Sequence, residues 1–261
     1  MNETTERINT HYSSITTDLL LQEYYENSSF LNYGFWRENT KNPKEACENL
    51  MEELLASIPR KTGNILDVAC GMGATTRHLL NYYKPKKVTG INISETQLEI
   101  CKKNAPKCKF LLMDATKLDF KNNSFNNVIC VEAAFHFDTR KKFLEEVFRV
   151  LKPKGKVVLS DILTMPLASH REKTMIPKEN YLENIESYRS LLRETGFCKE
   201  AIRDETRSCW GMHFYNIGRF LRERLQQREI RFLAFRKYMV RIYITNQNIL
   251  NYLLVTAEKP R

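Results

Sequence analysis

The sequence predicts an α/β fold in which a mostly parallel, doubly wound sheet is flanked by crossover helices. Three observations predict it. Apolar, β-branched runs alternate with helical stretches, prolines fall where a helix must hand over to a strand, and one strand runs directly into a glycine turn and a helix. At 261 residues, a single core of this kind with a modest cap is the natural size.

In chain order, the first 18 residues are polar and lack the apolar core of a signal peptide. Residues 14–58 carry helical periodicity, broken at 28–36 by Ser-Ser-Phe-Leu-Asn-Tyr-Gly-Phe-Trp. Strand signals follow at 64–70, 87–92, 109–113, 126–131 and 156–161, with helical stretches at 75–83, 94–104 and 139–151 between them. Pro85, Pro106 and Pro153 mark the helix-to-strand connections, and Lys152-Pro153-Lys154-Gly155 reads as a turn before the fifth strand. A helix at 178–195 precedes a strand at 196–206, and a last strand covers 251–258.

Residues 209–250 form a long insertion between two strands. Phe214, Tyr215, Phe220, Leu221, Phe232, Leu233, Phe235, Tyr238 and Met239 alternate there with Arg219, Arg222, Arg224, Arg231, Arg236, Lys237 and Arg241. The pattern predicts one or two amphipathic helices capping the strand ends. The plain account is that the aromatic face packs on the core and the arginines are solvated; a membrane or RNA surface is the alternative. The expected organisation is a helical lid over 1–58, a core over 59–206, a cap over 207–250, and the last strand with its tail over 251–261.

Composition bounds the function. No segment approaches the roughly 20 apolar residues of a membrane span. Seven cysteines lie scattered without C-x-x-C spacing, which indicates neither a zinc site nor a full disulfide framework, and a reducing cytoplasm is the expected compartment. The net charge of +10 fits an acidic or carrier-bound acceptor, but the basic residues are spread along the chain, which argues against one nucleic-acid groove. An oligomer stays open.

The most informative stretch is Ile65-Leu66-Asp67-Val68-Ala69-Cys70-Gly71-Met72-Gly73-Ala74-Thr75-Thr76. Gly71 and Gly73 let the backbone turn sharply and approach a ligand. A dinucleotide fingerprint fails: counted from Gly71 the last small residue is Thr76, and counted from Ala69 the first glycine is missing. No phosphate-binding lysine follows, so a P-loop fails too. Asp-x-Ala-x-Gly-x-Gly does fit, with an acid placed to meet a cationic rather than a phosphorylated ligand; a tight strand–helix turn in some other α/β protein is the plainer account. Here the chain resembles the class I S-adenosylmethionine-dependent methyltransferases.

That resemblance implies a Rossmann-like sheet of seven strands with the last one antiparallel, and S-adenosyl-L-methionine as cofactor. Its aminoacyl end would lie at the turn, so Asp67, Ala69, Gly71 and Gly73 are expected binding residues. Asn92, Ile93 and Gln97 close the second strand, where most members carry an acid for the ribose hydroxyls; the amide of Asn92 or Gln97 would serve instead. Ser94 and Gln97 also make a capping box, and both roles can hold together. After the third strand, Asp114 would accept the adenine amino group and the Ala115 N–H would meet a ring nitrogen; Asp114 is equally an ordinary turn residue. Glu132 completes the cofactor set at the fourth strand. Tyr25, Tyr33 and Trp36 would close over the cofactor, their π faces on the sulfonium, unless they are ordinary packing aromatics.

The string Val131-Glu132-Ala133-Ala134-Phe135-His136-Phe137 is similar to the segment after strand four in methyltransferases acting on natural-product and sugar hydroxyls. Arg149-Val150-Leu151-Lys152-Pro153-Lys154-Gly155 matches the family's later turn. The likeness covers residues 24–161 and, weakly, 252–259. Methyl transfer is an in-line displacement and chiefly a positioning problem, but a hydroxyl needs a base. His136 is the candidate base, because an ordinary imidazole suits proton removal at neutral pH; a satisfied structural histidine between Phe135 and Phe137 is the alternative. Asp161 is expected to orient His136 or to contact the acceptor. The expected activity is methylation of a hydroxyl on a small or medium lipophilic metabolite. The alternatives are C- or N-methylation of an isoprenoid, sterol-like or amine substrate, or an RNA methyltransferase.

Overall fold

The computed structural model describes residues 3–166 and 175–261; residues 1–2 of the expected lid and 167–174 of the expected core lie outside the described residues. In chain order it forms α1 (Glu3–Thr16), α2 (Leu19–Tyr24), α3 (Pro43–Ala56), β1 (Ile65–Val68), α4 (Ala74–Leu79), β2 (Val88–Asn92), α5 (Glu95–Asn104) and β3 (Lys109–Leu112). There follow β4 (Phe125–Val131), α6 (Arg140–Val150), β5 (Leu151–Thr164), α7 (Ile185–Glu194), β6 (Cys198–Asp204), α8 (Met212–Gln226), α9 (Phe232–Asn246) and β7 (Ile249–Glu258).

The seven strands make one sheet in the order β3-β2-β1-β4-β5-β7-β6. β1 to β5 run parallel, and β7 is antiparallel to both its neighbours, β5 and β6. Side chains alternate between two apolar layers, as the two-residue repeat of a strand demands. Ile65, Ile129 and Val158 face one side, where Leu50, Met51, Leu54 and Leu55 of α3 cover them. Leu66, Val128 and Val157 face the other, under Phe143, Leu144 and Val147 of α6 and Tyr188 and Leu192 of α7. Burial on both faces explains why β1 reads as an unbroken apolar run around one acid.

Local chemistry sets the helix starts. Asn42, Ser94, Thr139 and Asn184 each cap a helix by accepting a backbone N–H three residues on. The Asn184 cap corrects the helix expected at 178–195, which begins only at Ile185. The turn expected at 152–155 is absorbed into β5, where Lys154 takes a left-handed φ of 63°. The first helix starts well before residue 14.

The insertion folds as a π-helical turn (Arg207–Gly211), α8 and α9. Its aromatic residues divide. Phe214, Phe220, Phe235, Tyr238, Met239 and Ile242 pack on the core, while Phe232, Leu233, Val240, Tyr243 and Ile244 are exposed. Packing on the core therefore accounts for only part of them. Among the described residues no helix is long and apolar enough to cross a membrane.

Candidate active site

A cavity of about 440 Å³ opens at the carboxyl ends of β1 to β4, the end of such a sheet where ligands bind. The β1 exit supplies Ala69, Cys70, Gly71 and Met72, the β2 exit Asn92 and Ile93, the β3 exit Met113, Asp114 and Ala115, and the β4 exit Glu132 and Ala133. Residues 29–32 and Ile8, Asn9 and Tyr12 of α1 close the remaining side.

Strand β1 leaves the sheet through left-handed residues: Ala69 at φ 56°, Gly71 at 53° and Gly73 at 84°. A Cβ on Gly73 would lie 2.9 Å from the Cys101 backbone, so this position demands glycine. At Gly71 a Cβ would meet nothing within 4 Å, because the residue faces the open cavity. Asp67 does not face it. The side chain is 1% exposed, and its Oδ2 accepts the hydroxyls of Thr75 and Thr76 at 2.8 and 2.6 Å. Burial pushes its carboxyl up to about 6. Asp67 thus ties the turn to the start of α4, which corrects the expectation that it meets the ligand.

Asn92 lines the cavity but is also tied into the turn. Its Nδ2 donates to Gly71 O at 3.1 Å and Gln97 Oε1 at 2.7 Å, and its Oδ1 accepts the N–H groups of Ile93 and Ser94. Both donors and the acceptor are spent on the turn, so the amide braces the glycine loop from inside. Gln97 shares the cavity wall, its Oε1 held by Asn92. Asp114 lies across the cavity, fixed by an Asx turn in which Oδ1 accepts from the backbone and hydroxyl of Thr116 at 2.8 Å each. The glycine wall, Gln97 and the carboxyl of Asp114 in one cavity fit an adenosylmethionine, whose amino acid, ribose and adenine need those partners in that sequence.

Glu132 also lines the cavity, with a left-handed φ of 51°. Its Oε1 accepts Tyr33 N–H at 2.8 Å and the Tyr252 hydroxyl at 2.5 Å, and burial pushes its carboxyl up to about 8. Tyr33 and Trp36 do not face the cavity. Tyr33 packs against Trp210, His213 and Phe214 with ring centroids 4.7 to 5.6 Å apart, and Trp36 donates from Nε1 to Tyr33 O. Tyr25 packs on Tyr24 and His213. The three aromatics anchor the insertion, which corrects their expected place over the cofactor. Tyr12 and Phe30 stand on the cavity wall instead. The sequence signals Tyr12 only through the i, i+4 spacing of Ile8 and Tyr12 in an otherwise polar segment.

His136 sits on the cavity wall in the short 3-10 turn Ala134–His136. Its Nδ1 lies 3.0 Å from Met175 O, and a carbonyl only accepts, so Nδ1 carries the proton and Nε2 is the basic nitrogen. Nε2 lies 3.2 Å from the Tyr12 hydroxyl. Burial pulls the imidazole down to about 4, so it is neutral at pH 7.

Asp161 does not orient it. Fully buried, its Oδ2 accepts from Arg140 Nε at 2.6 Å and the Tyr188 hydroxyl at 2.9 Å. Arg140, itself 1% exposed, also donates to Asn180 O and to Ile162 O. Asn180 in turn donates from Nδ2 to Phe135 O at 3.0 Å and Phe137 O at 2.7 Å, on either side of His136. Asp161 is therefore linked to the histidine's turn by hydrogen bonds that pass through Arg140 and Asn180.

Residues 66–159 match a family model described as a methyltransferase domain. The chain is 28% identical over 264 residues to 27-O-demethylrifamycin SV methyltransferase of Amycolatopsis mediterranei, covering 93% of each protein. It is 28% identical over 206 residues to erythromycin 3''-O-methyltransferase of Saccharopolyspora erythraea, covering 70% of this chain and 67% of that one. Its fold superposes on the cyclopropane synthase MmaA2 of Mycobacterium tuberculosis with a TM-score of 0.76 at 17% identity, covering 99% and 100% of the two chains; that likeness speaks for the fold alone.

Proposed function

We propose that this chain, whose residues 66–159 match a methyltransferase-domain model, is a class I S-adenosylmethionine-dependent methyltransferase that methylates a hydroxyl of a small or medium lipophilic metabolite. The observation that carries this reading is the neutral His136, its basic Nε2 at the wall of a cavity that Phe30, Leu31, Ile8 and Phe137 make largely apolar. When bound, the cofactor supplies an electrophilic methyl on a sulfonium.

The chain's residues divide the remaining work. Ala69 and Gly71 shape the wall for the aminoacyl end, with Gly73 behind them packed on Cys101, Gln97 and Ile93 hold the ribose side, and Asp114 with the Ala115 N–H take the adenine. The acceptor hydroxyl replaces that of Tyr12 at Nε2 of His136, which takes its proton as the oxygen attacks. Met175 O fixes the tautomer and Asn180 the turn. The rifamycin and erythromycin relatives are likewise named for methylation at oxygen.

The test is a panel of lipophilic acceptors bearing hydroxyl, amine or activated carbon positions, incubated with S-adenosylmethionine and read by mass spectrometry. Methylation confined to hydroxyl-bearing compounds is the expected result. Transfer to amines or carbons alone would overturn it in favour of N- or C-methylation.

A further inference from the structure

Helix α9 presents two different faces. One, carrying Phe235, Tyr238, Met239 and Ile242, packs on the core. On the other, Phe232 is 63% exposed, Leu233 72%, Val240 50%, Tyr243 66% and Ile244 50%. Steps of 100° per residue gather these five into one stripe along the helix. Arg236, Lys237 and Arg241 are exposed beside them, and no acidic residue occurs anywhere in α9.

We propose that this face docks on the surface of an anionic lipid bilayer. Its chemistry selects that occupant. A helix lying in a membrane interface sinks aromatic and aliphatic side chains among the acyl chains and sets lysines and arginines against anionic headgroups. A second copy of the chain fits less well: two such faces brought together would oppose arginine and lysine with nothing acidic to neutralise them. The net charge of +10 adds long-range attraction of the same sign.

One edge of α9, at Arg241, lies near α1, a helix of the cavity wall. His11 of α1 binds protons less readily than an ordinary imidazole because it is buried and because Arg241 stands near it. Its helix neighbours Ile8, Asn9 and Tyr12 line the cavity. Docking through α9 thus brings the α1 wall of the cavity toward the bilayer, where a lipophilic acceptor partitions. That last step rests on the proposed acceptor class; the docking itself does not.

The test is vesicle flotation with the full chain and no acceptor present. Phosphatidylcholine vesicles are compared with vesicles containing phosphatidylglycerol. Flotation with the anionic vesicles alone is expected. It should fall at least tenfold in Phe232→Ser/Leu233→Ser and again in Arg236→Glu/Lys237→Glu, while S-adenosylhomocysteine binding by calorimetry stays at the wild-type value in both. Absence of flotation, or flotation indifferent to both double variants, would overturn the proposal. So would a dimer by sedimentation equilibrium, or a complex with an acidic carrier protein, that these variants abolish while vesicle binding is absent. Because flotation needs no methyl transfer, it fails or succeeds independently of the acceptor assay.

Discussion

The hydroxyl of Tyr12 lies 3.2 Å from Nε2 of His136, joining the first helix of the chain to the turn after β4. The two rings meet edge to face at a centroid distance of 5.8 Å. Under the proposed mechanism the tyrosine holds the place of an acceptor hydroxyl. His136→Ala should lower turnover about a hundredfold or more with cofactor affinity nearly unchanged, whereas Tyr12→Phe should keep it within about tenfold. The pH profile sharpens the test. Burial lowers His136 from 6.5 to about 4, and under the proposed mechanism the neutral form is the active one. The rate should therefore be flat through neutral pH and fall only as pH drops toward about 4. A profile rising through the ordinary imidazole range would contradict the buried geometry.

Gly71 separates binding from folding. A Cβ there meets no protein atom within 4 Å, so Gly71→Ala costs only the strain of a left-handed alanine, about 1 kcal/mol. The added methyl projects into the cavity. Calorimetry should show S-adenosylmethionine affinity lost by tenfold or more in a variant whose melting temperature falls by only a few degrees. Unchanged affinity would place the aminoacyl end elsewhere.

Asp161 should prove structural. Asp161→Ala leaves the Arg140 guanidinium buried without its carboxylate, which costs about 3–5 kcal/mol. The urea midpoint should drop accordingly. Asn180→Ala, which frees Phe135 O and Phe137 O, should reduce kcat more than it changes the KM for cofactor, because it loosens the turn that carries His136.

Glu132 makes stability depend on pH. Its carboxyl is raised from 4.5 to about 8, so between those values the folded chain keeps a proton that the unfolded chain has released. The stability this contributes is fully present below 4.5 and is lost as pH rises through about 8. From pH 6.5 to 8 the denaturation midpoint should therefore decline, by roughly 1 kcal/mol per pH unit. Glu132→Gln should remove that slope; a slope that persists would assign it to other groups.

If α1 closes over bound cofactor, its amides should gain hydrogen-exchange protection when S-adenosylhomocysteine is added. Tyr33 and Trp36, packed on the insertion, should change less. Equal change in both segments would mean that the whole N-terminal region moves as one body.

Much of this arrangement is legible before any coordinates. The strand–glycine-turn–helix at 65–76, the acid after the third strand and His136 after the fourth all lie where the sheet converges, because strand ends are set by local signals. What the sequence hides are partners supplied from far along the chain. Arg140 neutralises Asp161 across 21 residues, and nothing in either segment announces the other. Tyr33 reads as part of a lid because the aromatics that hold it, at 210–214, come nearly 180 residues later, and Trp36 follows it through its bond to Tyr33 O. Tyr12 gives little signal for the opposite reason: its helix is polar, and it meets His136 by a single hydroxyl and a ring edge.

The position of β7 carries a consequence for how the chain is made. Residues 249–258 are the last strand in sequence but lie inside the sheet, bonded to β5 on one side and β6 on the other. During synthesis β6 emerges with no neighbour to pair with, and it stays an unzipped ribbon until some fifty residues more have left the ribosome. Vectorial folding can thus finish the cofactor half of the sheet, β1 to β4, long before the β6 edge exists. A ribosome stalled within the insertion would hold a nascent chain with its glycine turn formed and its far edge still open to proteases.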